Sequence, residues 1–179
     1  MQLGRPKASG GSVSTAPADP CMLRAVRIPS GVLKIVKEVL RHLLRRPVVG
    51  IAVAARTADG RMLLIRRADS GKWALVGGTL EWGETLRGAI TREVLEETGA
   101  TVIELGQVLG VYSNPDRDPR FHAVNIIVGA LVTEPDPKVV NPVEISEVRL
   151  FHESELPTDY SHGMQDIIQN AISKNLVWE

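Results

Sequence analysis

Residues 78–100 read GTLEWGETLRGAITREVLEETGA, and their spacing decides how the rest of the chain is read. The pattern predicts a helix over about 84–98 that stops at Gly99, a residue suited to a left-handed C-terminal cap. Leu86, Ile90 and Val94 recur at i, i+4 and i+8, which gives that helix one face to bury. Glu93, Glu96 and Glu97 stand at i, i+3 and i+4, so three carboxylates fall within an arc of about 100°. Like charges so placed repel by a few tenths of a kcal/mol per exposed pair, and helix stability alone does not select them. A divalent cation removes the repulsion. All-carboxylate oxygen ligation suits a hard ion such as Mg²⁺ or Mn²⁺, which completes its shell with water and substrate phosphate. The competing reading is a solvated acidic face on which Arg92 pairs with Glu96 at i+4.

Outward from this segment the chain alternates strand-like and helical runs. Val48 to Ala55 and Arg61 to Arg67 flank an Ala58-Asp59-Gly60 turn and predict a hairpin. Two β-rich stretches, Ala100 to Ser113 and Phe121 to Thr133, enclose a polar loop over 114–120. A strand at Ser146 to Phe151 and a helix near Tyr160 to Lys174 complete the pattern. Helices and strands mix without regular βαβ alternation, so the expected fold is α+β, a mixed sheet flanked by helices as an α/β/α sandwich. Upstream, Val32, Leu33, Ile35, Val36, Val39, Leu40, Leu43 and Leu44 recur at helical spacing with Lys34, Lys37, Arg41, Arg45 and Arg46 between them. Residues 30–46 are therefore read as an amphipathic basic helix, residues 1–29 as a disordered tail, and residues 47–179 as the folded domain.

The chain has 179 residues, 44% hydrophobic, which suffices for one full core and not for two large domains. No apolar run reaches the roughly 18–20 residues that cross a bilayer. The lone cysteine, Cys21, forms no internal disulfide and no thiolate metal site, and a reducing, cytoplasmic setting is expected. The 21 basic and 21 acidic residues cancel, but nine of the basic ones lie in residues 1–47 against only Asp19 and Glu38. An acidic domain behind a basic arm is not the footprint of a dedicated nucleic-acid binder, although the arm leaves a role on capped RNA open. The favoured role of the 30–46 helix is a homodimer contact.

The acidic segment resembles the Nudix box, Gly-x5-Glu-x7-Arg-Glu-U-x-Glu-Glu-x-Gly-U with U aliphatic. It matches at Gly78, Glu84, Arg92, Glu93, Val94, Glu96, Glu97 and Gly99. A chance match of those eight positions is on the order of one in ten million with average residue usage. Two departures concern packing: Ala100 is smaller than the usual aliphatic residue, and Val76 stands where many members carry proline. The resemblance implies a mixed-sheet sandwich over roughly residues 47–175 and attack of water on a phosphorus of a nucleoside diphosphate linked to another group. It implies Glu93, Glu96, Glu97 and the Gly77 carbonyl as metal ligands, Arg92 as the group that orients the glutamates, and Glu84 as support for the loop. Glu93 and Glu144 are the two choices for the general base.

The segment Arg117-Asp118-Pro119-Arg120-Phe121-His122 is similar to one found in Nudix proteins related to ADP-ribose pyrophosphatases, and Pro115 to a proline position of that subgroup. On this reading Arg117 or Arg120 holds a diphosphate or sugar, Phe121 or Tyr112 stacks on a base, and His122 adds a polar contact. The expected reaction is Mg²⁺-dependent cleavage of ADP-ribose or a related nucleoside diphosphate sugar. The alternatives are a pyrophosphatase of oxidised nucleoside triphosphates or dinucleoside polyphosphates, and a nucleotide sensor without turnover.

Overall fold

The structure is a computed structural model, and it describes residues 30–44, 46–136, 138, 141–161 and 163–179. The tail expected over 1–29 lies outside the described residues. The chain divides into two units, residues 1–41 and 42–179. Helix α1 spans Ser30–Leu44. Its Val32, Leu33, Ile35, Val36, Val39 and Leu40 are all exposed, between 46% and 65%.

In residues 42–179, seven strands form one sheet: β1 (Val48–Arg56), β2 (Met62–Arg67), β3 (Trp73–Thr79), β4 (Val102–Tyr112), β5 (Ala123–Val132), β6 (Ile145–Phe151) and β7 (Val177–Trp178). Their order is β6-β2-β3-β1-β5-β4-β7. Strand β1 is parallel to β5 over its whole length and antiparallel to β3. The expected β1–β2 hairpin shrinks to a single pairing, Arg56 with Met62, because β3 lies between the two strands. The cause is legible in β1 itself: Gly50 to Ala55 are all buried, and such a continuous run belongs at the centre of a sheet with a partner on each side.

Helix α2 (Leu86–Thr98) covers one face of the sheet and α3 (Met164–Ser173) the other. Strand alternation divides the core accordingly. Ile51, Val53 and Val76 face α2 with Ala89, Ile90 and Val94, whereas Ala52, Leu64, Leu75 and Ile127 face α3 with Ile167 and Ile168. Each fully buried aliphatic side chain contributes about 1.5–3 kcal/mol of transfer free energy. Val76 and Ala100, the two departures from the box pattern, are both fully buried in the α2-side core.

The ends of α2 follow the sequence closely. Thr85 caps its start, its Oγ1 accepting from the Gly88 N–H at 3.1 Å. Gly99 ends it at φ 69°, its N–H donating to the Leu95 carbonyl at 2.8 Å. A Cβ at residue 99 would also stand 2.6 Å from the Asp136 carbonyl oxygen, so both conformation and space require glycine here.

Candidate active site

The catalytic candidates assemble where α2 passes the Gly77-Gly78 end of β3. Arg92 is the hub. Its Nε and Nη2 donate to the two Glu84 oxygens at 3.0 Å each, and its Nη1 donates to Glu93 at 2.9 Å and Glu96 at 3.3 Å. A bidentate guanidinium–carboxylate pair fixes the arginine in orientation as well as position. Arg92 lowers the Glu84 carboxyl, whose Oε2 also accepts from the Glu81 N–H at 3.2 Å, tying down the loop before the helix.

Glu93 lies against the strand. A Cβ at Gly78 would stand 2.2 Å from Glu93 Oε1, so glycine at 78 makes the space this carboxylate occupies. Burial pushes the Glu93 carboxyl up, and the hydrogen bond from Arg92 opposes the shift. One turn on, Glu97 Oε2 accepts from the Gly77 N–H at 2.9 Å. Burial pushes Glu97 up to about 8, the Gly77 N–H works against that, and the charge of Glu93 adds to it. Arg67 of β2 lowers it and Glu144 raises it further, so Glu144, an exposed residue just before β6, reaches this end of the cleft electrostatically.

Glu96 is turned outward, its side chain 60% exposed, with Arg92 as its recorded contact. Among the described residues no three His, Cys, Asp or Glu side chains already converge as a metal cage. The donor chemistry nevertheless fits a hard divalent cation. Glu93 and Glu97 are desolvated carboxylates of like charge beside the backbone of Gly77 and Gly78, the first in a cradle that a Cβ would fill.

A cleft of about 310 Å³ opens beside this cluster, lined by Gly77, Gly78 and Thr79 of β3, Gly50 of β1, Asn125 of β5, Arg67, the 117–121 wall and the start of α3. Of the expected substrate residues, Arg117, Arg120 and Phe121 line it. Arg117 is deeply engaged: it donates to Asp166 at 2.7 and 3.1 Å and to Glu179 at 2.9 and 3.0 Å, with its guanidinium 4.5 Å from the Tyr112 ring centre. Arg120 is bound to Asp118 at 2.7 Å and lies 3.8 Å from Asp69, while Phe121 is 44% exposed beneath it.

Two expected residues are placed elsewhere. Tyr112 is 1% exposed, its hydroxyl accepting from Asn170 at 3.2 Å, so its ring is part of the α3-side core and presents no face to a base. His122 is exposed, hydrogen-bonds the Ser113 carbonyl at 2.9 Å and does not line the cleft. Sequence reasoning missed Arg67 and Asn125. The adjacent Arg66-Arg67 pair closing an apolar strand was a signal for the first. Nothing local marked the second. A larger cavity, about 440 Å³, lies between β4, β5 and the end of α3, and it contains none of the box residues.

Residues 44–171 match the family model of the NUDIX domain. The chain belongs to the Nudix hydrolase family. An ADP-ribose pyrophosphatase of Methanocaldococcus jannaschii is 47% identical to this Nudix chain over 72 residues, 38% of the chain and 42% of that protein. The chain thus spans less than half the length of that relative. A Bacillus subtilis protein provisionally named an 8-oxo-dGTP diphosphatase is 28% identical over 124 residues, 66% of the chain and 83% of that protein. The crystal structure of a MutT NUDIX hydrolase from Burkholderia pseudomallei has a TM-score of 0.61 to the chain at 30% identity, covering 70% of this chain and 98% of that one. The expected sandwich of a mixed sheet between helices is thus the Nudix fold, with the box on α2 and the loop before it.

Proposed function

We propose that the chain hydrolyses the pyrophosphate bond of ADP-ribose or a related nucleoside diphosphate sugar, releasing a nucleoside monophosphate and a sugar phosphate, with Mg²⁺ as cofactor and Mn²⁺ able to replace it. The observation that carries this reading is the Glu93–Glu97 pair, desolvated against Gly77 and Gly78 at the mouth of a cleft whose walls bring Arg67, Arg120 and Phe121. Glu93, Glu96, Glu97 and the Gly77 carbonyl would hold the ion. A bound divalent ion supplies charge neutralisation at the phosphoryl oxygens and a more acidic water.

The protein's own groups supply the rest. Arg92, anchored on Glu84, keeps Glu93 pressed against Gly78. Arg67 and Arg120 are suited to the non-reacting phosphate oxygens, and Phe121 offers an exposed ring to a base. Glu93 or Glu144 takes the proton of the attacking water. Glu144→Gln and Glu93→Gln distinguish them, because loss of the base removes the acidic limb of the pH–kcat profile. The similarity to an ADP-ribose pyrophosphatase supports the sugar nucleotide over other diphosphates. The relative named for 8-oxo-dGTP supports a second reading, release of pyrophosphate from an oxidised triphosphate, and product masses separate the two.

The proposal extends to setting and assembly. Among the described residues no helix is long and apolar enough to cross a membrane, and a cytoplasmic location accords with a nucleotide substrate. The exposed apolar side chains of α1 are proposed to meet the same residues of a second copy. Val36→Asp with Leu40→Asp should then convert a dimer to a monomer on gel filtration; an unchanged elution volume ends that part of the proposal.

A further inference from the structure

Resting on the reading that the cleft holds a sugar nucleotide, we propose that Glu179 is a positioning residue for substrate binding: through Arg117 it holds the 113–122 loop against the start of α3 in the arrangement that receives the ligand. Arg117, Arg120 and Phe121 line the cleft from the loop, and Ser161, Gly163 and Met164 line it from the segment that opens α3. Arg117 and Gly163 stand 46 positions apart in the chain, and the arginine is where the two stretches join. Its Nη1 donates to the Gly163 carbonyl at 3.3 Å, and its Nη1 and Nη2 donate to the two Asp166 oxygens at 3.1 and 2.7 Å.

Strand β7 delivers Glu179 to this junction. Val177 and Trp178 pair in parallel with Gly110 and Val111, the Glu179 N–H donates to the Val111 carbonyl at 3.1 Å, and Ser113 Oγ donates to the Glu179 backbone oxygen at 2.8 Å. The backbone of Glu179 is thus fixed by bonds that do not involve its side chain. The side-chain carboxylate is directed at the loop. Its Oε2 accepts from the Ser113 and Asn114 N–H groups at 3.2 and 3.1 Å, and its two oxygens accept from Arg117 Nε at 3.0 and 2.9 Å. These donors hold the carboxyl down at about 2, so the contact is charged across the neutral range. At the neck of the same loop His122 Nε2 hydrogen-bonds the Ser113 carbonyl at 2.9 Å.

Arg117 is a post rather than a ligand contact. All three of its guanidinium nitrogens donate to Glu179, Asp166 or Gly163, and its guanidinium lies 4.5 Å from the Tyr112 ring centre. Loss of the Glu179 charge leaves the Ser113 and Asn114 N–H groups and Arg117 Nε without their shared acceptor. The loop that carries Arg120 and Phe121 then gains freedom that ligand binding has to remove, and such ordering weakens binding. It leaves the chemical step alone, because the recorded contacts of Glu179 and Arg117 include none of Glu84, Arg92, Glu93 or Glu97.

The test measures ADP-ribose hydrolysis with Mg²⁺ by the full chain as wild type, Glu179→Gln, Glu179→Asp, Arg117→Ala and the Glu179→Gln, Arg117→Ala double variant, with thermal unfolding to confirm the fold. Glu179→Gln should raise KM roughly 5- to 20-fold, the cost of ordering a few side chains on binding, with kcat unchanged. Glu179→Asp keeps the charge and should fall between the wild type and Glu179→Gln; it carries the test should the glutamine variant not fold. The double variant should raise KM by less than the product of the two single effects, because the carboxylate acts through the guanidinium. Arg56→Ala breaks the Arg56–Glu153 pair outside the cleft and should leave KM unchanged, which separates positioning from a general loosening. An unchanged KM in folded Glu179→Gln overturns the inference, as does a loss confined to kcat or an equal rise in Arg56→Ala. If no sugar nucleotide is turned over, AMP binding by calorimetry replaces KM. Weaker binding in Glu179→Gln then keeps the inference while the proposed reaction falls, and equal binding, or none in the wild type, overturns the inference as well.

Discussion

The two ends of the cleft handle charge in opposite ways. At the box end, Glu84, Glu93 and Glu96 share one arginine, and the most desolvated carboxyl, Glu97, takes its hydrogen bond from the backbone N–H of Gly77 instead. At the wall, Arg117 meets two carboxylates and Arg120 is matched by Asp118. The first region buries an acidic group that no salt bridge matches among the described residues; the second closes on itself. A fold keeps an uncompensated carboxylate out of water only against its own stability, so the box end points to a ligand, and the wall points to structure that frames one.

Glu97→Gln should break the contrast most sharply. The amide keeps an acceptor for the Gly77 N–H and removes the charge, so turnover should fall on the order of 10²–10³-fold, the scale of losing one electrostatic contact at a developing charge. In EDTA at pH 8 the same variant should melt higher than the wild type. A variant with full activity, or one that melts lower, would return Glu97 to the ordinary surface acids.

Gly78→Ala should come next. Its Cβ would intrude to 2.2 Å from Glu93 Oε1, and displacing that carboxylate by about an ångström should reduce kcat/KM by about 10²-fold. Circular dichroism should show the fold retained. Glu84→Gln should be milder, about 10–100-fold, and should appear as a higher Mg²⁺ requirement, because it loosens Arg92 and leaves the carboxylates in place.

The smallest effect concerns pH and gives the two ends opposite signs. Glu97 titrates near 8 in the folded protein against an ordinary 4.5, so without metal its favourable contribution is complete below about pH 4.5 and lost as pH rises through 8. Glu179 is held down at about 2 by Arg117, so its contribution is present above about pH 4.5 and lost as pH falls toward 2. Arg117→Ala should lower stability by roughly 1–2 kcal/mol at neutral pH, between the values for exposed and buried pairs, and should flatten the acid limb of a thermal-unfolding profile in EDTA while the alkaline limb stays. Loss of the alkaline limb in that variant would contradict the assignment.

What the sequence revealed follows from the range of the interactions involved. Gly99 acts at the end of one helix, so spacing alone marks it, whereas the roles of Glu84 and Arg92, eight positions apart, follow from the resemblance. Gly78 against Glu93 needed only the strand before the helix. Asn125 joins Thr79 and Gly50 in lining the cleft through a parallel pairing between β1 and β5, distant in sequence, and no local pattern announces it. Tyr112 shows the converse error: an aromatic residue next to a functional loop was read as a platform, but it sits on an inward-facing position of β4 and fills the core beneath Arg117.

The central claim is that the desolvated carboxylates of α2 act through a divalent ion on a sugar-nucleotide pyrophosphate. The most direct measurement is mass identification of products after incubating the wild type and Glu97→Gln with ADP-ribose, in Mg²⁺ and in EDTA. The account predicts AMP and ribose 5-phosphate from the wild type with Mg²⁺, and neither product at a comparable rate in EDTA or from the variant. Equal rates in EDTA, or from Glu97→Gln, would contradict it.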